Sequence, residues 1–176
     1  MSHPDAPKRH PVPDAPVATS DADSPPAAPA RDRRSRAARS DFHLFRDMPT
    51  RWHDNDVYGH MNNVVYYSFF DTAVNVWLGE RAGLAVPGGA VIGLVVETGC
   101  TYHESVGWPE PVSVGLATSR VGRSSVSYAL GLFRPGADLA AAEGRFTHVY
   151  VDADTRRPVA LPESLRAAAS AILQEG

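Results

Sequence analysis

A short segment, residues 51–71 (RWHDNDVYGHMNNVVYYSFFD), carries the residues of this chain best suited to chemistry. Asp56 lies four residues before His60, and Asn62 and Asn63 come just before an almost entirely apolar run. A helix that begins at these asparagines offers unpaired backbone N–H groups and the positive end of its dipole. A carboxylate beside such a helix start suits chemistry on an uncharged, polarisable group, because the N–H groups stabilise charge that develops on oxygen.

Each residue of this segment also has a structural interpretation. Asp56 can cap the turn or the helix, as aspartate commonly does before a helix. His60 can be a packed histidine that is hydrogen-bonded to backbone, or it can orient a substrate. Asn62 and Asn63 are predicted to stabilise the helix start, so that only a backbone amide takes part in chemistry. Gly59 is predicted to supply a backbone conformation that other residues disfavour.

The elements around the segment predict an α+β fold. Apolar residues cover most of the circumference of a helix predicted over residues 63–81, which indicates that this helix is buried. Period-two alternation and turn signals predict strands before and after it, and a short helix closes the chain. The predicted strands span 42–52, 90–102, 112–117, 126–132 and 145–151, and the closing helix spans 161–173. The order predicts an antiparallel sheet of about five strands curled around one helix.

Residues 1–40 differ from the rest in composition. They hold eight of the fifteen prolines and no Ile, Leu, Phe, Trp or Tyr, so they are predicted to form a disordered tail before a single domain of residues 41–176. Five arginines cluster near the end of this tail without aromatic neighbours. The domain has ten basic and fifteen acidic side chains, a net charge of −5, which argues against nucleic-acid binding.

Other functional classes are disfavoured by what the chain contains. The single cysteine, Cys100, excludes an intrachain disulfide and fits a reducing cytoplasm, and no apolar run is long enough to span a membrane. No metal site or cofactor is predicted. A calcium loop that started at Asp54, which we expect to fix the loop as a hydrogen-bond acceptor, would need an acid where Val65 stands. Glu97, inside an apolar strand, is either a paired structural acid or a member of the site.

The motif D-x-D-x-x-G-H-x-N-N-x-x-Y-x-x-x-x-D, from Asp54 to Asp71, resembles the 4-hydroxybenzoyl-CoA thioesterase family and its acyl-CoA relatives. The order of elements over residues 41–162 is similar to the hotdog fold of that family. The resemblance implies that Asp56 acts on a thioester carbonyl as nucleophile or as the base for water. It also implies that the backbone N–H of Asn63 polarises that carbonyl.

The resemblance extends to other residues. Plant acyl-ACP thioesterases carry a functional histidine at the position of His60, although they place an asparagine where this chain has Tyr58. Tyr66 either lines the pocket or belongs to the core. Basic turns in the benzoyl-CoA enzymes contact the nucleotide, so a turn with Arg120, Arg123 and Ser124 is either a site for coenzyme A phosphates or a solvated hairpin.

These observations favour a cytoplasmic acyl-CoA thioesterase that uses no metal and no cofactor. Its partners are expected to be the acyl-CoA substrate and itself, because hotdog proteins cover their apolar face by pairing sheets into homodimers or homotetramers. Two alternatives stay open at this point. One is a hotdog hydratase or dehydratase, and the other is a non-catalytic acyl-CoA sensor.

Overall fold

The computed structural model describes residues 36–174. Two short 3-10 turns, Arg39–Asp41 and Trp52–Asp54, accompany the regular elements. These elements are β1 (Leu44–Met48), α1 (Asn63–Glu80), β2 (Val91–Tyr102), β3 (Val112–Val121), β4 (Ser125–Phe133), β5 (Ala142–Asp152) and α2 (Glu163–Ala171). Every predicted helix and strand is present. The first strand is shorter than predicted, because Pro49 follows Met48 and has no N–H to donate to a ladder.

Most of the predicted disordered tail lies outside the described residues. The last five residues of the segment assigned to it, 36–40, are described and contact the domain. Ala38 forms a bridge with Leu139, and the backbone N–H of Arg39 donates to Asp138 O at 2.8 Å. The Arg36 guanidinium donates to Ala140 O and to Glu104. The described part of the domain therefore begins at Arg36.

All five strands form one antiparallel sheet in the order β1-β3-β4-β5-β2. The hairpin β3–β4 and its neighbour β5 form the centre, while β1 and β2 lie at the two edges. The inner side chains of the central strands pack under α1 and form the main core. This confirms the predicted α+β hotdog fold, a curled antiparallel sheet around one long helix.

Helix α1 begins where the sequence predicts, because Asn62 caps it. The Asn62 Oδ1 accepts from the N–H of Val64 at 3.2 Å, which satisfies one of the free donors of the first turn. The helix buries one face only, with Tyr66, Phe69, Phe70, Ala73, Val74, Trp77 and Leu78 in the core. The helix is buried through this face, as predicted, while Val64 on another side is 63% exposed.

The close approach of α1 to the sheet depends on a glycine in β5. A Cβ added at Gly144 would lie 2.6 Å from the Phe70 ring, a distance that real Cβ atoms do not show. Phe70 is fully buried and cannot swing away into solvent. The absence of a side chain at Gly144 therefore sets how closely the helix lies on the sheet.

We expect Gly144→Ala to destabilise the fold by about 1–3 kcal/mol, the usual range for an overpacked core. The matched control is Gly79→Ala in α1, where an added Cβ would have only Leu84 O at 4.0 Å. In that open helical position alanine should be neutral or stabilising. Urea unfolding of both variants measures the two free energies, and equal stability of the two would contradict the packing account.

Candidate active site

The loop before α1 is held from within by a buried carboxylate. The Asp54 side chain is fully buried and accepts from the backbone N–H of Arg51 at 2.7 Å and from the Arg51 guanidinium at 2.8 Å. Burial alone would raise the pKa of Asp54, but the hydrogen bonds and charge of Arg51 outweigh it and lower the pKa of that carboxyl. Asp54 therefore fixes the loop as an ionised acceptor, as predicted.

Asp56 lies at the partly exposed apex of the same loop. Its backbone N–H donates to His60 O at 2.8 Å, and its carbonyl accepts from Gly59, whose positive φ of 82° suits glycine. One carboxylate oxygen, Oδ1, accepts from the Tyr58 N–H at 2.8 Å. Among the described residues Oδ2 has no donor, so the turn orients the carboxylate and leaves one oxygen available for a reacting group or a water.

The start of α1 presents an unused backbone donor. The side chain of Asn62 takes the N–H of Val64, and its carbonyl takes the N–H of Val65 at 2.8 Å. Within residues 36–174 the N–H of Asn63 has no hydrogen-bond acceptor. It points outward from the positive end of the helix dipole, which is suited to a carbonyl oxygen that gains negative charge.

Tyr102 ties this helix start to the sheet. Its hydroxyl donates to Asn63 O at 2.9 Å, and its ring contacts Tyr66 edge to face, with centroids 5.0 Å apart. Burial raises the pKa of the Tyr102 hydroxyl, so that it stays protonated and remains a donor. Tyr102 was not predicted from the sequence, because the strand pattern does not show that the end of β2 reaches the start of α1.

His60 lies on the surface beside Asp56. Its carbonyl accepts from Asp56, while its ring lines an open groove of about 230 Å³ together with residues 105–110 and Arg134. The wall of this groove is fixed by bonds from Met61 N to Val106 O and from Trp108 N to Asn55 Oδ1. A larger groove of about 750 Å³ lies away from this loop, between residues 37–43 and 171–174.

Beyond the helix start, the helix side of the edge strand β2 is only partly covered, with Val95 45% and Tyr102 44% exposed. Residues paired across antiparallel strands share one face, so Thr98 and Cys100 lie on the helix side with their partners Phe146 and Gly144. Helix α1 packs over β3 and β4 and leaves this side of β2 uncovered. We call this partly exposed strip the β2 trough; along it lie Val64, Tyr67, Val95, Thr98, Cys100 and Tyr102, and the buried inner side chains of β5 lie beneath it.

Other predicted residues are not brought together with Asp56 in one chain. Arg120, Arg123 and Ser124 lie at the β3–β4 turn, and the strand register places this turn at the Val91 end of the sheet. The loop with Asp56 contacts the opposite end. The carbonyls of Arg123 and Ser124 accept from Leu161 and Tyr150, while the two arginine side chains are exposed.

Neither Tyr66 nor Glu97 lines an open pocket in this chain. Tyr66 is only 3% exposed and belongs to the core. Glu97 is exposed and pairs loosely with Arg145, with 3.8 Å between the carboxylate and the guanidinium. Burial raises the pKa of the Cys100 thiol, which makes it a poor nucleophile. In the part of the chain that the structure describes, no cluster of His, Cys, Asp or Glu is arranged to hold a metal.

Residues 50–169 match the sequence profile of the thioesterase-like superfamily, and the chain belongs to that superfamily. Among solved structures it is similar to the PA5185 protein from Pseudomonas aeruginosa, at 50% identity over 80% of this chain and 99% of that one, with a TM-score of 0.78. The PA2801 protein from the same species is 32% identical over 70% of this chain and 95% of its own, with a TM-score of 0.65.

A third similar structure is a thioesterase from Thermus thermophilus in complex with coenzyme A and Zn. It is 26% identical over 73% of this chain and 98% of that one, with a TM-score of 0.63. A comparison with curated proteins found no match. No helix within residues 36–174 is both long and apolar enough to cross a membrane.

Proposed function

We propose that this protein is an acyl-CoA thioesterase that hydrolyses its substrate to a free carboxylic acid and coenzyme A. Two groups carry the proposal, in a chain of the thioesterase-like superfamily. Among residues 36–174, neither the second carboxylate oxygen of Asp56 nor the N–H of Asn63, at the helix start that follows the same loop, has a hydrogen-bond partner. The single cysteine fits a reducing cytoplasm, where we place this activity. The reaction needs no cofactor.

The chemistry follows from the two groups. The thioester carbonyl oxygen accepts from the Asn63 N–H, which makes its carbon more electrophilic and stabilises the tetrahedral intermediate. Asp56 either attacks that carbon and forms an anhydride that water opens, or removes a proton from an attacking water. Either way the C–S bond breaks, coenzyme A leaves as the thiol, and water supplies the new oxygen of the acid. We propose that His60, in the same loop, orients the substrate.

We place the acyl group in the β2 trough. It begins at the helix start and is lined by apolar and aromatic side chains, which favour an uncharged chain or ring. Coenzyme A would then leave the trough at the surface beside Asp56. The coenzyme A complex of the Thermus thermophilus thioesterase supports a coenzyme A ester rather than another thioester.

We further propose a homodimer that pairs two β2 edges. In the part of the chain that the structure describes, β2 pairs only with β5, and its exposed side chains include Leu94, Val95 and Val96, with exposures from 37% to 59%. Long apolar edges of this kind invite pairing with another chain. An antiparallel pair of β2 strands would bring the hairpin with Arg123 of the partner subunit to the end of the joint sheet that carries Asp56. The phosphate role of Arg120, Arg123 and Ser124 is proposed in that assembly only.

Pairing of two β2 edges predicts the mass of the protein in solution. We expect the wild-type protein to have at least twice the mass of one chain, and Val96→Lys to shift it towards the monomer because the charge opposes edge pairing. The matched control is Leu139→Lys, at a residue of similar exposure (46%) outside β2. Sedimentation velocity distinguishes the outcomes. A wild-type monomer, or a dimer unaffected by Val96→Lys, would contradict this interface.

The experiment that tests the activity uses purified wild-type protein and a panel of short, medium, long and aromatic acyl-CoA esters, with matched carrier-protein thioesters. Free thiol is followed over time. Thiol release from one or more coenzyme A esters, above that from carrier-protein esters, supports the proposal. A product that retains the thioester but gains or loses water would instead indicate a hydratase.

A further inference from the structure

The inner face of β5 contains a histidine that the proposed reaction does not use. His148 is only 2% exposed, yet neither ring nitrogen has a hydrogen-bond partner among residues 36–174. Buried polar groups in folded proteins nearly always have a partner, and one without a partner calls for a physical reason such as a missing ligand. Burial lowers the pKa of His148 to about 4, so near neutral pH the ring has one donor and one acceptor nitrogen.

Two buried tyrosines next to His148 leave a further donor uncommitted. The Tyr128 and Tyr150 hydroxyls lie 2.6 Å apart, and the Tyr128 ring centroid is 5.1 Å from that of His148. A hydroxyl pair uses one O–H between its members, so the second O–H remains free to donate. The three side chains form what we call the inner polar cluster, which offers donors and an acceptor inside an aromatic wall.

The inner polar cluster is buried beneath the far part of the β2 trough. Tyr67 stacks on Phe146 in the floor, and His148 is the next inward-facing residue along β5. Its partner across the ladder, Val95, shares that face and is 45% exposed. Gly93 has no side chain above His148 Nδ1, and a Cβ there would lie only 3.1 Å from that atom.

The distance between the reacting carbonyl and His148 can be estimated from the lengths of α1 and β5 that lie between them. From Asn63 to Tyr67 the helix advances about 6 Å, and from Phe146 to His148 the strand advances about 7 Å. An extended chain advances about 1.1 Å per bond, as a strand does. If the two advances lie along one line, about ten to twelve bonds separate the Asn63 N–H from His148, which corresponds to an acyl chain of medium length.

We infer that His148 recognises an oxygen near the far end of a medium-chain acyl group, so that the preferred substrates are acyl-CoA esters with a distal hydroxyl or keto group. The inference rests on the proposed function and specifies its substrate class. A distal hydroxyl satisfies a nitrogen of the ring, whereas a plain methyl end leaves both nitrogens unsatisfied. Sites with buried polar groups reject ligands that lack the matching group far more strongly than apolar pockets reject an extra carbon.

The test compares 10-hydroxydecanoyl-CoA with decanoyl-CoA, which differ only in the distal oxygen. For the wild-type protein we expect kcat/KM to favour the hydroxylated ester by about 10-fold or more. In His148→Phe, which keeps an aromatic ring and removes both nitrogens, that ratio should fall to about one or reverse. His43→Gln, at an exposed histidine outside the trough, should keep the wild-type ratio.

A binding measurement separates this inference from the proposed activity. Calorimetric titration of the wild-type protein and His148→Phe with both coenzyme A esters, at low temperature and with Asp56→Asn as background, does not depend on turnover. Tighter binding of the hydroxylated ester that is lost in His148→Phe supports the inference even without hydrolysis. Hydrolysis of both esters with equal kcat/KM in wild type and variant would overturn it and leave the thioesterase proposal standing.

Discussion

Replacing Asp56 by asparagine is expected to lower acyl-CoA turnover by at least ~100-fold, because positioned acid–base and nucleophilic groups contribute about 10²–10⁴. Asparagine is the most informative change. Its amide oxygen can still accept from the Tyr58 N–H, as Asp56 Oδ1 does at 2.8 Å, so the turn before α1 should persist. The variant loses only the charge and the basicity. The loss should appear in kcat, with the binding of coenzyme A esters little changed.

Two controls make this result interpretable. Asp154→Asn removes an exposed carboxylate outside the loop and should leave turnover unchanged. Circular dichroism and the urea midpoint of Asp56→Asn should match those of the wild type. If Asp56 only caps the turn, asparagine can accept the same hydrogen bond and turnover should not change. Full activity of Asp56→Asn would therefore refute the catalytic assignment.

His148→Phe should remove much of the acid sensitivity of the fold. The pKa of His148 in the folded protein, about 4, lies below the ordinary histidine value of 6.5. Between these pH values His148 is therefore protonated in the unfolded chain and neutral in the folded one. The contribution of neutral His148 to the free energy of unfolding is complete above pH 6.5 and is lost as the pH falls towards 4. The loss assigned to this one residue between pH 7 and pH 5 is about 2 kcal/mol.

The measurement is urea unfolding of wild type, His148→Phe and His43→Gln at pH 7 and pH 5. In wild type and His43→Gln the free energy of unfolding should fall between the two values by about 2 kcal/mol more than in His148→Phe. At pH 7 His148→Phe should be as stable as wild type or more so, because it buries no unsatisfied nitrogen. An equal pH dependence in all three proteins would show that folding does not lower the pKa of His148, and would contradict this prediction.

Much of the fold follows from patterns that are local in the sequence. The predicted boundaries of α1 and of the four later strands differ from the observed ones by only a few residues, because Asn62, the turn residues and the period-two alternation specify them directly. The site loop was found for the same reason, since Asp54, Asp56 and Gly59 act on backbone within a few residues of themselves.

The remainder depends on contacts between distant parts of the chain. Nothing local says that the Arg123 turn lies at the other end of the sheet from Asp56, because that follows from strand order and register. Nor does alternation distinguish His148 from the aromatic residues on either side of it in β5. The sequence also does not show which side of α1 stays exposed in one chain. An apolar helix face has the same residue pattern whether a sheet, a ligand or a second chain covers it.

The measurement that tests the central claim most directly is product identification by mass spectrometry after wild type and Asp56→Asn are incubated with the same acyl-CoA ester. The account predicts equal amounts of free acid and coenzyme A from the wild type and at least ~100-fold less from the variant. Saturable binding of the ester with no free acid from the wild type would contradict it, and would indicate that the protein is an acyl-CoA sensor.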